Sequence, residues 1–88
     1  MELGQVVLSK AGRDSGRCFA VVEIVSPDYV KIADGDLRRI KNAKLKKVKH
    51  LKTTEVVLDK IKDKLENGRQ VFDAELFSAL RFCKETEE

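Results

Sequence analysis

Eighty-eight residues suffice for one small domain that buries roughly 60% of its unfolded surface, which favours surface recognition over an enclosed substrate cleft. With 42% hydrophobic and 38% charged residues the chain reads as folded and highly charged. No apolar run approaches the about 20 residues that cross a bilayer, and the start "MELGQVV" lacks a signal-peptide pattern, so a cytoplasmic protein with no membrane partner is expected.

The first half reads as strands. "GQVVLSK" (4–10) and "CFAVVEIV" (18–25) are rich in β-branched and aromatic residues, and the loop "AGRDSGR" (11–17) connects them. "SPDY" is a turn in which Pro27 presets φ. "YVKIA" (29–33) alternates, with Val30 and Ile32 on one face and Tyr29 and Lys31 on the other. "DGD" (34–36) is a second turn, "LRRI" reads as a fourth short strand and "VKHLK" as a fifth. Short strands joined by glycine turns point to a small barrel or sandwich, mainly β within an α+β class.

From Thr53 the period changes. Val57, Leu58, Ile61 and Leu65 recur at helical spacing, with Thr53 or Thr54 as N-cap and Gly68 as terminator. A second helix is expected from Asp73, with Phe72 and Phe77 forming a hydrophobic staple and Leu76, Phe77, Leu80 and Cys83 the buried stripe. Phe72, Phe77 and Phe82 read as core between this helical pair and the sheet. No linker separates the halves, so residues 1–52 (barrel) and 53–88 (helical pair) are expected to form one cooperative unit, a monomer when free.

Cys18 and Cys83 lie 65 positions apart with no CxxC and no accompanying ligand pair, which argues against zinc. Both read as small apolar core residues, since a cytoplasmic setting does not favour a disulfide. His50 is the only histidine, and no phosphate-cradling loop, nucleophile elbow or metal cluster appears. A binding protein without cofactor or metal is expected, not an enzyme.

The net charge of +3 is unevenly placed. Residues 1–52 hold 12 Lys/Arg against 6 Asp/Glu, and residues 53–88 hold 6 against 9. The densest stretch, "LRRIKNAKLKKVKHLK" (37–52), carries Arg38, Arg39, Lys41, Lys44, Lys46, Lys47, Lys49 and Lys52, with His50 and no acid. Like charges so close repel one another, and a polyanion relieves that repulsion while releasing its own counterions. The bland alternative is a solvated face. Leu45, Val48 and Leu51 are expected to tether the segment to the core. In the 11–17 loop, Gly12 and Gly16 permit positive φ and close backbone approach, Arg13 and Arg17 offer forked donors for phosphate, and Asp14 can cap the loop's own amides. Taken alone, the loop fits an ordinary hairpin turn with solvated arginines as well.

The stretch "GQVVLSKAGRDSGRCFAVVEIV" resembles the KOW motif, the strand–loop–strand signature of certain ribosomal proteins and NusG-type transcription factors. The match rests on Gly4, the Val6–Val7 pair, the G-x-x-x-G-[KR] loop of Gly12, Gly16 and Arg17, and the apolar exit strand. The continuation "DGDLRRIKNAKLKKVKHLK" is similar to that of the archaeal and eukaryotic fourteen-e class of large-subunit ribosomal proteins. The resemblance covers about residues 3–52. It implies an SH3-like five-stranded β-barrel, here with a C-terminal helical pair, whose loop and basic edge contact RNA, with Lys10, Arg13 and Arg17 at loop positions where basic residues meet RNA. Together with the basic run this gives structured RNA, ribosomal above all, as the expected partner. With only Phe19 and Tyr29 as aromatics in the basic half, shape and phosphate recognition is expected rather than base readout. The rival expectation is a protein–protein interaction module of the transcription or translation machinery, with the helices docking on a ribosomal or transcription protein.

Overall fold

Five strands pair antiparallel in the spatial order β4-β3-β2-β1-β5. They are β1 (Gln5–Ser9), β2 (Cys18–Ile24), β3 (Tyr29–Ala33), β4 (Lys44–Lys47) and β5 (Leu51–Val57), followed by helices α1 (Asp59–Glu66), α2 (Asp73–Ala79) and α3 (Arg81–Thr86). This computed structural model describes residues 1–10 and 16–86, so Gly12, Arg13 and Asp14 lie outside the described residues. Among the described residues no helix is long and apolar enough to cross a membrane.

The near-continuous apolar runs of β1 and β2 follow from burial on both faces of the sheet, where strict alternation is not needed. Val6, Ala20 and Ala33 face the helices and join Ile61, Val71, Leu76 and Leu80 in one core cluster. Ala20 and Ala33 are direct cross-strand partners, and their small side chains let the helices approach the sheet closely. Val7, Phe19, Val21, Val30, Ile32 and Leu51 form a second cluster on the opposite face, to which no described residue of α1, α2 or α3 contributes. All six are at most 4% exposed.

The connection between the outer strands explains how that second face is covered. Only the short 3₁₀ turn Val48–His50 separates the end of β4 from the start of β5. In a flat sheet those strands would lie about 19 Å apart, four spacings of about 4.8 Å. Four Cα steps reach about 15 Å even when fully extended. The sheet therefore curls, aided by register shifts between Gln5 and Val7 and between Val21 and Glu23, and Val48 packs against the second cluster.

Several expectations are corrected. The helix expected from Thr53 begins at Asp59, because Leu51–Val57 continues as β5. Thr53 pairs with Val7, and the Thr54 hydroxyl donates to the Val6 carbonyl at 2.7 Å, so the threonines serve the ladder and cap no helix. The expected boundary at 52/53 thus falls inside β5. "LRRI" is not a strand but a bend entering the 3₁₀ turn Ile40–Asn42, and "VKHLK" is the Val48–His50 turn and the first residues of β5. Asp73 does not cap its own helix; its Oδ1 accepts from the Ile40 amide at 2.8 Å, and Phe72 stands at the N-cap without a side-chain cap. Phe72 and Phe82 are exposed, not core, and so is Leu45, which extends from an edge strand instead of tethering it.

The cysteines are the largest correction. Cys18 and Cys83 form a disulfide, with Cα atoms 6.4 Å apart, linking the start of β2 to α3. The packing of the helices on the sheet brings together two residues 65 positions apart.

Candidate nucleic-acid interface

One end of the sheet collects the end of β1, the start of β2, the end of β3 and the start of β5. Ser9 pairs with Leu51 and Leu8 with both Lys52 and Cys18. The Lys10 amide donates to the His50 carbonyl at 2.9 Å, and the Gly16 amide donates to the Ser9 carbonyl at 2.8 Å. The backbones of Lys10, Gly16, Arg17, His50 and Lys52 are thereby held at one place, so Gly16 and Arg17 are neighbours of the end of the basic run. Gly16 adopts φ 84°, and a Cβ built there meets nothing within 4 Å among the described residues. Its role is conformational; the close backbone approach expected of it is absent among those residues.

Arg17 is engaged within the protein. Its Nη2 lies 3.4 Å from Oδ2 of Asp34, a carboxylate 1% exposed. Oδ1 of Asp34 accepts from the Asp36 and Arg38 amides, both at 2.9 Å. A single buried acid thus organises the 34–38 turn and holds the first basic residue of β2's approach. Charge alone does not single out Asp34; its place as the Asp of a D-G turn, where Asp commonly bonds the amide two residues on, is the signal that could have.

β4 divides its residues between two faces. Lys44 and Lys46 pair with Ile32 and Val30 and share the face of the second core cluster, half-buried. Leu45 and Lys47 lie on the other face, opposite Lys31 and Tyr29. The Lys47 ammonium stands 5.9 Å from the Tyr29 ring centroid. Beyond it, Lys49 and His50 are exposed on the Val48–His50 turn. Arg39 and Lys41 go elsewhere: Arg39 borders a hollow with Asp73 and Phe77, and Lys41 one with Val22 and Leu65, both beside the helices. The basic run is therefore not one cluster. The backbones of Lys10, Arg17, His50 and Lys52 meet at the loop end, Lys44 opens β4 opposite Ile32, Lys47 and Lys49 lie at and just past the end of β4, and Arg39 and Lys41 border the hollows beside the helices.

Three ion pairs occupy acids elsewhere on the described surface. Glu2 pairs with Lys62 at 2.6 Å, Glu75 with Lys64 at 2.7 Å, and Glu23 with Lys31 at 3.9 Å. The hydrogen bond from Lys62, reinforced by its charge, holds the Glu2 carboxyl below its ordinary range and raises the Lys62 ammonium. The Lys64 hydrogen bond likewise lowers Glu75, against the opposing effect of burial. Among the described residues, Arg39, Lys41, Lys47, Lys49 and Lys52 form no ion pair. Within the same residues no group of three or more His, Cys, Asp or Glu is placed to hold a metal ion. No known protein family matches the chain, and no curated protein matches it at a significant level.

Proposed function

We propose that this chain is an SH3-like, KOW-type β-barrel that binds structured RNA, ribosomal RNA above all, as a non-catalytic component or companion of the translation machinery. Support for the barrel comes from the five antiparallel strands, the three-residue link between the outer strands, and the burial of the self-covered face. Support for the ligand rests on one observation: exposed Lys47, Lys49 and Lys52 lack carboxylate partners among the described residues, while Glu2 and Glu75 are paired with Lys62 and Lys64. Such cations release counterions from a phosphate backbone. Ribosomal RNA as partner implies a cytoplasmic location. There a disulfide is unusual, intracellular proteins of hyperthermophiles being the exception, so the redox state of Cys18 and Cys83 in the cell bears directly on this part of the reading.

Filter binding to a ribosomal RNA fragment across a salt series tests the proposal. With about five phosphates contacted, the log–log slope is roughly −3 to −5. Reversing charge at Lys49 and Lys52 should remove most binding, and reversing it at Asp63 and Glu66 should not. A flat salt response, or equal loss from both pairs, overturns the reading. The second reading, a protein-docking module, draws on Phe72 and Phe82, 58% and 40% exposed in the helical part.

A further inference from the structure

Beside the Val48–His50 turn lies a notch of about 430 Å3 lined by Pro27, Asp28, Tyr29, Lys47, Val48 and Lys49. Its volume falls within the range of about 300–1,000 Å3 found for small-molecule sites. The walls are held by local bonding. The Val48 amide donates to the Asp28 carbonyl at 2.9 Å, fixing the β2–β3 turn against the turn that closes the sheet. The Tyr29 amide donates to the Ser26 hydroxyl at 3.2 Å, and the Val25 amide donates to the Tyr29 carbonyl at 3.1 Å. Pro27 stiffens the same turn.

We infer that this notch takes one unpaired guanine nucleotide of the bound RNA. The inference rests on the RNA-binding reading and adds a base-recognition site to it. A nucleotide combines a flat π system with an anionic phosphate, and the notch offers the complement of each. Tyr29 supplies the only aromatic ring among the described lining residues, and Lys47 and Lys49 supply cations on either side of Val48. The 5.9 Å spacing of the Lys47 ammonium from the ring centroid shows that ring and cation act at one spot. Stacking on a ring is sequence-tolerant, so it does not choose the base. Asp28 does: its carboxylate accepts only, repels phosphate, and suits the paired N–H donors on guanine's Watson–Crick edge. Uracil and adenine lack that paired set.

The chain has one tyrosine and no tryptophan, so fluorotyrosine incorporation places a single fluorine probe at Tyr29. The probes are a fully paired RNA duplex, the same duplex with one bulged guanosine, and the same duplex with one bulged uridine. The guanosine bulge should shift the fluorine NMR resonance and bind about tenfold more tightly than the paired duplex, within the range that base–aromatic stacking supplies. Tyr29→Leu should abolish that preference, Tyr29→Phe should keep it, and Asp28→Ala should equalise guanosine and uridine. None of these should change the affinity of the paired duplex or its salt slope. Equal affinity for bulged and paired RNA, or an unmoved resonance, overturns the nucleotide site while binding of the paired duplex leaves the RNA reading standing. Absence of binding to all three RNAs overturns both.

Discussion

Oδ2 of Asp34, buried to 1% exposure, sits 3.4 Å from Nη2 of Arg17, while Oδ1 of the same carboxylate holds the amides of Asp36 and Arg38. One of the loop's basic residues, Arg17, is thus also a structural counterion. Asp34→Ala should destabilise by about 2–3 kcal/mol, since it leaves a partly buried cation and two amides without an acceptor. Asp34→Asn retains a side-chain oxygen for the amides and should cost about 1 kcal/mol. Urea midpoints at unchanged m-value measure both. Equal losses would show that the charge, rather than the turn hydrogen bonds, carries the effect.

Two glycines with the same handedness should respond differently to substitution. Gly35 adopts φ 80°, and a Cβ there would collide with the Asp73 carbonyl oxygen and come within 2.9 Å of the Phe77 amide nitrogen. Gly16, at φ 84°, has open space instead among the described residues. Gly16→Ala should therefore cost only the left-handed strain, about 1–2 kcal/mol. Gly35→Ala should cost clearly more, because α2 must retreat from the 34–38 turn. Thermal melts of the two variants side by side decide it; a smaller loss at Gly35 would contradict the packing of α2 against that turn.

The disulfide between Cys18 and Cys83 closes a loop spanning 65 positions. On the chain-entropy estimate such a link stabilises by up to about 4 kcal/mol, a ceiling that measured values often miss. Adding a reductant, or Cys83→Ser, should lower the unfolding midpoint accordingly. Hydrogen exchange should show α3 losing protection before the strands. Intact protein mass with and without alkylation reports whether the bond is present in the cell.

Lys64 and Glu75 join α1 to α2. Glu75 has its pKa lowered from 4.5, and a carboxyl depressed on folding contributes stability above its unfolded value and loses it as pH falls through the folded one. Glu75→Gln should be less stable than the parent near neutrality, and the two should converge as pH falls below 4.5. Both side chains are about one-third exposed, so added salt should narrow the neutral-pH difference. Melting temperatures across pH at two ionic strengths check the sign.

Strands β1, β2 and β3 were legible because their apolar runs and flanking turns are local signals. The start of α1 was not: Val57, Leu58, Ile61 and Leu65 fit a helical period, but the β-branched "TTEVV" found a partner in β1, almost fifty residues away. The basic run was visible as composition, yet composition does not show that Arg39 and Lys41 turn toward the helices while Lys49 remains on the curled edge. The Cys18–Cys83 link and the Asp34–Arg17 contact were hidden for the same reason. Each depends on chain segments that meet only after the sheet has bent and the helices have docked.

The Val48–His50 turn both joins the two outer strands of the sheet and places the Lys49 ammonium at its rim. Capturing a polyanion there would act like fastening a clasp. The amide protons of Lys10, which bonds to the His50 carbonyl, and of Val48, which bonds to the Asp28 carbonyl, anchor this turn to β1 and to the β2–β3 turn; they should exchange more slowly once ligand is present, and breathing of the domain should be damped from the margin inward.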